Sequence, residues 1–196
     1  ATTVLDLGCG TGAVTAQLAN SCTVIALDLA QGMLNFARAR NAAANIDWVC
    51  ADAEDLPLAD ESVDAVFSSL ALQWCENPGA VFIEIERVLR AGGTAYISTL
   101  GPDTLHELRA AWRAVDERIH VNQFAAREII EAALQRTGLT LDSWREESVV
   151  MRYGELRDLT RELKAIGAHN VNAGRPDGLT SRERLQRVYK QAHPRA

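Results

Sequence analysis

The first hundred residues alternate between short apolar runs and stretches in which apolar residues recur every three or four positions. The apolar runs predict five strands, at 4–7, 23–28, 46–51, 63–70 and 94–100. The intervening stretches predict helices, at 12–20, 33–44 and 81–89. Strands that are apolar along their whole length are buried on both faces, which is typical of parallel sheets covered by helices. The pattern therefore predicts an α/β fold with a doubly wound, mostly parallel sheet and right-handed crossovers.

The second half of the chain predicts mostly helices. Apolar stripes at helical spacing mark them at 105–119, 129–134, 156–166 and 185–192. Leu139–Met151 predicts a sixth strand, because apolar residues stand at 139, 141, 149 and 151. No repeat and no long linker divides the sequence. We therefore expect one domain over 1–196, with a core in 1–100 and, in 101–196, helical insertions after the fifth and sixth strands.

The composition is that of a globular protein, with 47% hydrophobic and 23% charged residues. No window of 18 apolar residues predicts a transmembrane helix, and no signal peptide is visible, so we expect a cytoplasmic protein without a membrane partner. The four cysteines, Cys9, Cys22, Cys50 and Cys75, lack zinc-ligand spacing. They predict reduced core thiols and no metal.

The net charge of −6 is unevenly distributed. Residues 1–102 hold 12 acids and 4 bases, whereas residues 157–196 hold 9 bases and 4 acids. An acidic chain is a poor ligand for nucleic acid, so we expect no nucleic-acid partner. The basic C-terminal region is compatible with docking of an acidic protein and with a solvated helical face, and the charges alone leave both open.

A glycine-rich run, Asp6–Gly12, joins the first predicted strand to the first predicted helix. Glycines at 8, 10 and 12 let the backbone turn sharply and approach a ligand. The carboxylate two residues before the first glycine would repel a pyrophosphate but attract an ammonium or sulfonium cation. The run therefore favours S-adenosylmethionine over a dinucleotide.

Two further acids stand at the ends of predicted strands. Asp28 ends the second strand, where a carboxylate can accept hydrogen bonds from ribose hydroxyls. Asp52, followed by Ala53, ends the third strand and can reach the adenine edge. Each acid alone is also explained as a helix N-cap. The carboxyl ends of parallel strands line one crevice, so three acids there favour a nucleoside cofactor.

These features resemble the class I S-adenosylmethionine-dependent methyltransferases, which have a Rossmann-like sheet. The resemblance covers about residues 3–100 and rests on Asp6–Gly12, Asp28, Asp52, the 63–68 strand and Leu89–Gly93. It implies that Asp6, Gly8 and Gly10 hold the methionine end of the cofactor. It implies contacts of Asp28 with the ribose and of Asp52 and Ala53 with the adenine. Gly12 and Ser69 complete the predicted cofactor set, S-adenosylhomocysteine is the implied product, and no metal is implied.

Several runs in the second half resemble the malonyl-[acyl-carrier protein] O-methyltransferases. These runs are Ser98–Leu105, Glu107–Trp112, His120–Phe124, Leu163–Val171 and Gly174–Thr180. The resemblance implies methyl transfer to a free malonyl carboxylate, which primes pimeloyl synthesis for biotin. It also implies an acidic acyl carrier protein as partner. The implied docking residues are Lys164, Arg175, Arg182, Arg184 and Arg187.

The implied acceptor predicts how the site works. A malonyl carboxylate is already an anion at neutral pH, since carboxyl groups titrate near about 4. It needs no general base, so we predict no catalytic acid–base pair and a site that acts by positioning and by excluding water. Candidate pocket residues are Trp74, Thr99, His120 and Asn122, which follow a strand or an inserted helix. For His120, a structural role after a helix end is equally open.

Three alternatives accompany this interpretation. The first is a methyltransferase of the same fold that acts on another small carboxylate. The second is a cofactor-binding module without catalysis, which the intact glycine run disfavours. The third is a nicotinamide-dependent dehydrogenase, which Asp6 and the glycine spacing disfavour.

The two ends of the chain give a further expectation. A strand pattern begins at Val4, whereas methyltransferases of the resembled class place helices before their first strand. These methyltransferases also insert a seventh strand antiparallel beside the fifth. After Leu139–Met151, however, this chain offers only helical patterns, at 155–166 and 182–192. We therefore expect six strands, a cofactor crevice open on one side, and a chain trimmed at both ends.

Overall fold

A computed structural model describes residues 2–41, 45–115, 117 and 120–165. The strands are β1 (Thr3–Leu7), β2 (Thr23–Asp28), β3 (Ile46–Cys50), β4 (Val63–Ser69) and β5 (Leu89–Ser98). The helices are α1 (Ala13–Leu18), α2 (Gln31–Arg40), α3 (Pro78–Val88), α4 (His106–Arg113), α5 (Arg127–Leu134) and α6 (Leu156–Ala165). A short 3-10 helix spans Leu72–Trp74.

The five strands form one sheet in the order β3-β2-β1-β4-β5, and every pairing is parallel. The predicted parallel α/β fold is therefore confirmed. The chain runs from β1 outward to β3 and then crosses to β4 on the other side of β1, so the strand order reverses beside β1. In open α/β sheets, ligands bind at the carboxyl ends of strands at such a reversal.

The centre of the sheet is dry. Leu5, Leu7, Val24 and Val66 lie on its three central strands and are fully buried or nearly so. Ile85 of α3 is also fully buried. Burial of one such side chain stabilises the fold by roughly 1.5–3 kcal/mol. Burial of the apolar runs therefore holds in place the strands whose carboxyl ends carry the predicted polar site residues.

The junction of α3 and β5 differs from the predicted helix at 81–89 and the predicted strand at 94–100. The helix ends at Val88, and Leu89 already pairs with Val63 of β4. The next paired residue of β5 is Thr94, opposite Ala65, so the intervening residues form an irregularity within the strand. Helical spacing does not show this boundary, because an apolar residue at 89 suits both a helix and a buried strand.

The predicted sixth strand over Leu139–Met151 is wrong. These described residues form no strand, and Val149 and Val150 are 71% and 73% exposed. The physical reason is visible in the sequence. Polar and charged residues occupy most of 142–148, so the apolar alternation that a half-buried strand needs is interrupted. The described residues thus contain five strands, not six.

Contacts divide the chain into two compact units. The first unit holds the sheet, α1–α3 and α5, whereas the second holds α4 and α6. In the second unit, Leu108, Ala111 and Trp112 of α4 pack with Val121 in a small apolar cluster. Single-domain organisation of 1–196 stays a prediction. The predicted helix at 185–192 lies outside the described residues.

Arg87 fastens the loop between β3 and β4 to α3. Its guanidinium lies 2.7 Å from a carboxylate oxygen of Glu84 and 2.9 Å from one of Asp60. It also donates hydrogen bonds to the backbone carbonyls of Leu56 and Leu58, at 2.9 and 2.6 Å. One side chain therefore holds the loop at three points.

The cysteines are free thiols. Cys9, Cys22 and Cys75 are half-buried, but Cys50 is exposed at the end of β3. The core-thiol prediction is therefore wrong for Cys50, which is the last residue of β3, an edge strand of the sheet. None of the helices in the described part of the chain is both long and apolar enough to cross a membrane.

Candidate cofactor site

The loop after β1 is held against the ends of two neighbouring strands. The backbone N–H groups of Gly8 and Cys9 both donate to the carbonyl of Leu27 in β2, at 2.8 and 2.9 Å. Gly8 has a φ of 76°, and a Cβ placed on it would lie 2.2 Å from the Cβ of Ala71. Only glycine fits this position, because both the backbone conformation and the neighbouring loop exclude a side chain. The loops after β1 and β4 thus meet at Gly8.

Asp6 is buried directly beneath this loop, with 2% of its surface exposed. The hydroxyl of Thr15 in α1 donates to its Oδ2 atom at 2.5 Å. Oδ1 has no hydrogen-bond partner among the described residues. Burial raises the pKa of Asp6, the Thr15 hydrogen bond lowers it, and the charge of Asp28 raises it further. A buried carboxylate with one open oxygen fits a cationic ligand group.

Asp28 ends β2 and joins the glycine loop to the next helix. Its Oδ2 accepts a hydrogen bond from the N–H of Gly10, and its Oδ1 accepts one from the N–H of Ala30, both at 2.8 Å. Ala30 is the N-cap residue of α2, which begins at Gln31, so Asp28 does not itself cap this helix. Each carboxylate oxygen can still accept a second hydrogen bond, as a ribose hydroxyl requires.

The end of β3 adds two more predicted residues. Asp52 is exposed, and its Oδ1 accepts a hydrogen bond from the N–H of Glu54 at 2.9 Å, which closes a tight turn. Ala53 is half-buried and lines a small cavity with Leu7 and Ser68. Because β3, β2 and β1 are adjacent and parallel, Asp52, Asp28 and Asp6 all lie toward the same edge of the sheet.

The other two loop glycines have different surroundings. A Cβ on Gly10 would meet no atom within 4 Å, so space is open beside it. A Cβ on Gly12 would lie 3.0 Å from both Ala37 and Trp48, and 2.9 Å from Asn41. Gly12 therefore allows the start of α1 to pack closely against α2 and β3.

The ends of β4 and β5 are tied by side chains. Ser98 donates to Ser69 between hydroxyl oxygens at 3.3 Å, and Ser69 is exposed. Gln73 donates to the carbonyl of Leu70 at 2.6 Å and accepts from the hydroxyl of Thr99 at 3.2 Å. Leu70 itself has a φ of 54° and is 45% exposed. Trp74 ends the same short 3-10 helix and is half-buried.

Sequence reasoning missed Gln73, Leu70 and Thr15. The strain at Leu70 and the bridge made by Gln73 depend on the loop conformation, which no local pattern signals. Thr15 stands one helical turn after a predicted loop and faces inward, so the helical spacing of the apolar residues around it could have indicated burial.

Two predicted pocket residues lie in the second unit. The ring of His120 stacks on that of Trp112, with centroids 3.7 Å apart and planes 12° apart. Asn122 is buried, and its backbone carbonyl accepts a hydrogen bond from the Arg109 side chain at 3.4 Å. Trp74 and Thr99 belong to the first unit, so the predicted pocket set divides between the two units.

One of the five predicted docking residues belongs to the described part of the chain. Lys164 falls within α6, whereas Arg175, Arg182, Arg184 and Arg187 lie outside the described residues. Within the described ranges, no group of three or more His, Cys, Asp or Glu side chains could hold a metal ion.

Comparison with known proteins identifies the class first. Residues 5–97, which include the glycine loop and nearly the whole sheet, match the family described as Methyltransferase domain. The solved structure of an S-adenosylmethionine-dependent methyltransferase from Mesorhizobium loti is similar, with a TM-score of 0.59 and 27% identity. The match covers 69% of this chain and 73% of that one.

Curated relatives define the family more narrowly. The chain is 46% identical over 189 residues to malonyl-[acyl-carrier protein] O-methyltransferase from Methylococcus capsulatus. The match covers 94% of this chain and 69% of that protein. The chain belongs to the malonyl-[acyl-carrier protein] O-methyltransferase family. It is also 54% identical over 186 residues to the biotin biosynthesis bifunctional protein BioHC of Cellvibrio japonicus. There the match covers 94% of the chain but only 37% of the relative.

Proposed function

We propose that the chain transfers a methyl group from S-adenosylmethionine to the free carboxylate of malonyl-[acyl-carrier protein]. The product is a methyl ester that primes pimeloyl synthesis for biotin. The observation that carries this proposal is the buried carboxylate of Asp6, with an open oxygen beneath a glycine loop, in a chain of this family. A cationic amino-acid end suits that carboxylate, whereas a pyrophosphate does not.

The residues along the sheet edge would hold the cofactor. Asp6 attracts its ammonium group, and the bare backbone at Gly8 and Gly10 lets the methionine end lie close. Asp28 accepts from the ribose hydroxyls, because each of its oxygens keeps one acceptor position. Asp52 and Ala53 bind the adenine. Gly12 and Ser69 belong to the same proposed set.

The chemistry needs positioning more than proton transfer. When bound, S-adenosylmethionine supplies a methyl group attached to a positively charged sulfur. The acceptor carboxylate is already ionised, so the chain's residues have to orient it and exclude water from it. Trp74, Thr99, His120 and Asn122 stay the acceptor-binding candidates that the sequence predicts.

The partner is proposed to be an acidic acyl carrier protein. Docking is assigned to the basic residues Lys164, Arg175, Arg182, Arg184 and Arg187, since complementary charge accelerates encounter. The printed names of the relatives support this partner, because the Methylococcus capsulatus protein is named for a carrier-bound malonyl group.

The decisive experiment is methyl transfer from cofactor labelled on its methyl group. The purified protein is offered malonyl-carrier protein, malonyl-coenzyme A, free malonate and acetyl-carrier protein, which lacks the free carboxylate. We expect label on malonyl-carrier protein and none on acetyl-carrier protein. Asp6→Asn is expected to lose transfer, whereas Asp47→Asn, an exposed acid on β3, is expected to keep it.

Other outcomes would overturn the proposal in distinct ways. Faster transfer to free acids than to the carrier would indicate a methyltransferase for another small carboxylate. Cofactor binding without transfer to any acceptor would indicate a non-catalytic module. Binding of a nicotinamide dinucleotide in place of S-adenosylmethionine would indicate a dehydrogenase.

A further inference from the structure

The side chain of Thr15 makes an unusual contact for a helical threonine. A threonine hydroxyl in a helix commonly bonds to a carbonyl of its own preceding turn. Thr15 lies in the first turn of α1 and is fully buried, and its hydroxyl donates across to Oδ2 of Asp6 in β1. The hydrogen bond joins the strand before the glycine loop to the helix after it.

Because of this contact, the two carboxylate oxygens of Asp6 have different surroundings. Oδ2 is occupied by Thr15, and no other described residue bonds to the carboxylate, so its Oδ1 is left for a ligand. We propose that Thr15 is a positioning residue for the cofactor, because it fixes the Asp6 carboxylate in the orientation that receives the ammonium group. This inference rests on the proposed function, in which Asp6 binds that ammonium.

Thr15 also opposes the rise in the pKa of Asp6. Burial and the charge of Asp28 both raise the pKa of Asp6, and the Thr15 hydroxyl is the one described group that lowers it. Cys9 lies near the same carboxylate, but burial and the two acids raise the pKa of its thiol to about 12, so it adds no charge at neutral pH. Without the hydroxyl, Asp6 would be protonated at a higher pH, and a neutral acid attracts an ammonium group poorly.

The test compares two ligands that differ at the charged end. S-adenosylmethionine carries the ammonium, whereas 5′-methylthioadenosine has the same nucleoside but lacks the amino-acid end. The Kd of each is measured by calorimetry from pH 5 to 8 for the wild-type protein, Thr15→Val and Thr15→Ser. Thr94→Val, an exposed position on β5, serves as the matched control.

Thr15→Val is expected to raise the Kd for S-adenosylmethionine by roughly tenfold or more, since a hydrogen bond to a charged group is lost. The acid side of its pH profile should move to higher pH. Affinity for 5′-methylthioadenosine should stay within about twofold. Thr15→Ser should restore both the affinity and the profile, and Thr94→Val should match wild type.

Several results would overturn the inference. An unchanged Kd and pH profile in Thr15→Val would do so, as would equal losses for both ligands, which indicate a purely structural role. If Thr15→Val does not fold, Thr15→Ser still decides, because a tenfold loss there contradicts a role of the hydroxyl. Failure of the wild-type protein to bind S-adenosylmethionine at all would instead refute the proposed function.

Discussion

The carboxylate of Asp28 and the backbone N–H of Gly10 are joined by a hydrogen bond of 2.8 Å. The end of β2 thereby sets the conformation of the glycine loop after β1. Asp28→Ala removes the acceptor for this N–H and for that of Ala30. We expect the Kd for S-adenosylmethionine to rise roughly thirtyfold, or about 2 kcal/mol, because the loop and the ribose both lose their partner.

Asp28→Asn removes the negative charge of the side chain but keeps its shape. The amide oxygen can still accept one hydrogen bond. Asp28→Asn should lose less affinity than Asp28→Ala in the same titration. Asp47→Asn, at an exposed acid on β3, should bind like the wild-type protein. Equal affinities for Asp28→Ala and wild type would show that Asp28 serves only the fold.

Gly8→Ala should destabilise the fold more than Gly10→Ala. A Cβ at Gly8 would lie 2.2 Å from the Cβ of Ala71, whereas one at Gly10 would meet no atom within 4 Å. Both glycines have positive φ, which costs other residues roughly 1–2 kcal/mol. We therefore expect a loss of about 3 kcal/mol for Gly8→Ala and about 1 kcal/mol for Gly10→Ala, measured by urea unfolding.

A second substitution tests the cause of that difference. Ala71→Gly removes the opposing Cβ, so it should recover part of the stability lost in Gly8→Ala. No recovery in the double variant would mean that backbone strain, rather than contact with the β4 loop, causes the loss.

Asp6→Asn should bind cofactor poorly and yet fold at least as well as wild type. Burial raises the pKa of Asp6 in the folded chain above its ordinary value. Such a group stabilises the fold at low pH and loses that contribution as the pH rises through its folded pKa. At pH 7, without cofactor, we expect the variant to be more stable by about 1 kcal/mol. The difference should shrink as the pH falls toward 4, which denaturant titrations at several pH values would detect.

Alkylation should distinguish the four thiols. Cys50 is exposed, whereas burial raises the pKa of Cys9 to about 12 and that of Cys75 to about 11. The thiolate is the reactive form, so iodoacetamide at pH 8 should label Cys50 first. Peptide mapping by mass spectrometry gives the order, and in denaturant all four cysteines should react at similar rates. Labelling of Cys9 as fast as Cys50 would contradict the half-buried position of the Cys9 thiol.

The basic C-terminal region gives a kinetic prediction. Arg182→Glu and Arg184→Glu together reverse two charges of the proposed docking set. We expect the KM for malonyl-carrier protein to rise roughly tenfold, with a weaker effect at high salt, because screened attraction guides the encounter. The Kd for S-adenosylmethionine should not change. An unchanged KM would indicate that these arginines form a solvated face.

The sheet could be predicted from the sequence because β1, β2 and β4 are apolar on both faces. Val63–Ser69 and Thr23–Asp28 match their predicted runs within one residue. The helix end at Val88 could not be predicted, because it depends on the pairing of Leu89 with Val63 of β4. No local feature of the sequence signals that pairing. The strand predicted over Leu139–Met151 is wrong because a local signal was misleading. The apolar residues at each end of this segment suggest a strand, but the polar residues at its centre do not support one.

The candidate site followed from chemistry that is local in sequence. Asp6–Gly12 and Asp28 could be found because the strand ends and the glycines lie next to each other in the chain. Thr15 and Gln73 could not, since each acts through a contact that exists only once the elements have packed. The sequence predicts His120 as a pocket residue, but no spacing rule predicts that its ring stacks on that of Trp112.

The three attachments of Arg87 have a consequence for cofactor exchange at the proposed site. They hold the segment that follows Asp52 and Ala53 to α3 by contacts that involve no ligand. A segment that is already ordered loses little conformational entropy when a ligand arrives. The adenine side of the proposed site is therefore preorganised, so spent cofactor can be replaced by fresh cofactor without refolding of this loop in each cycle.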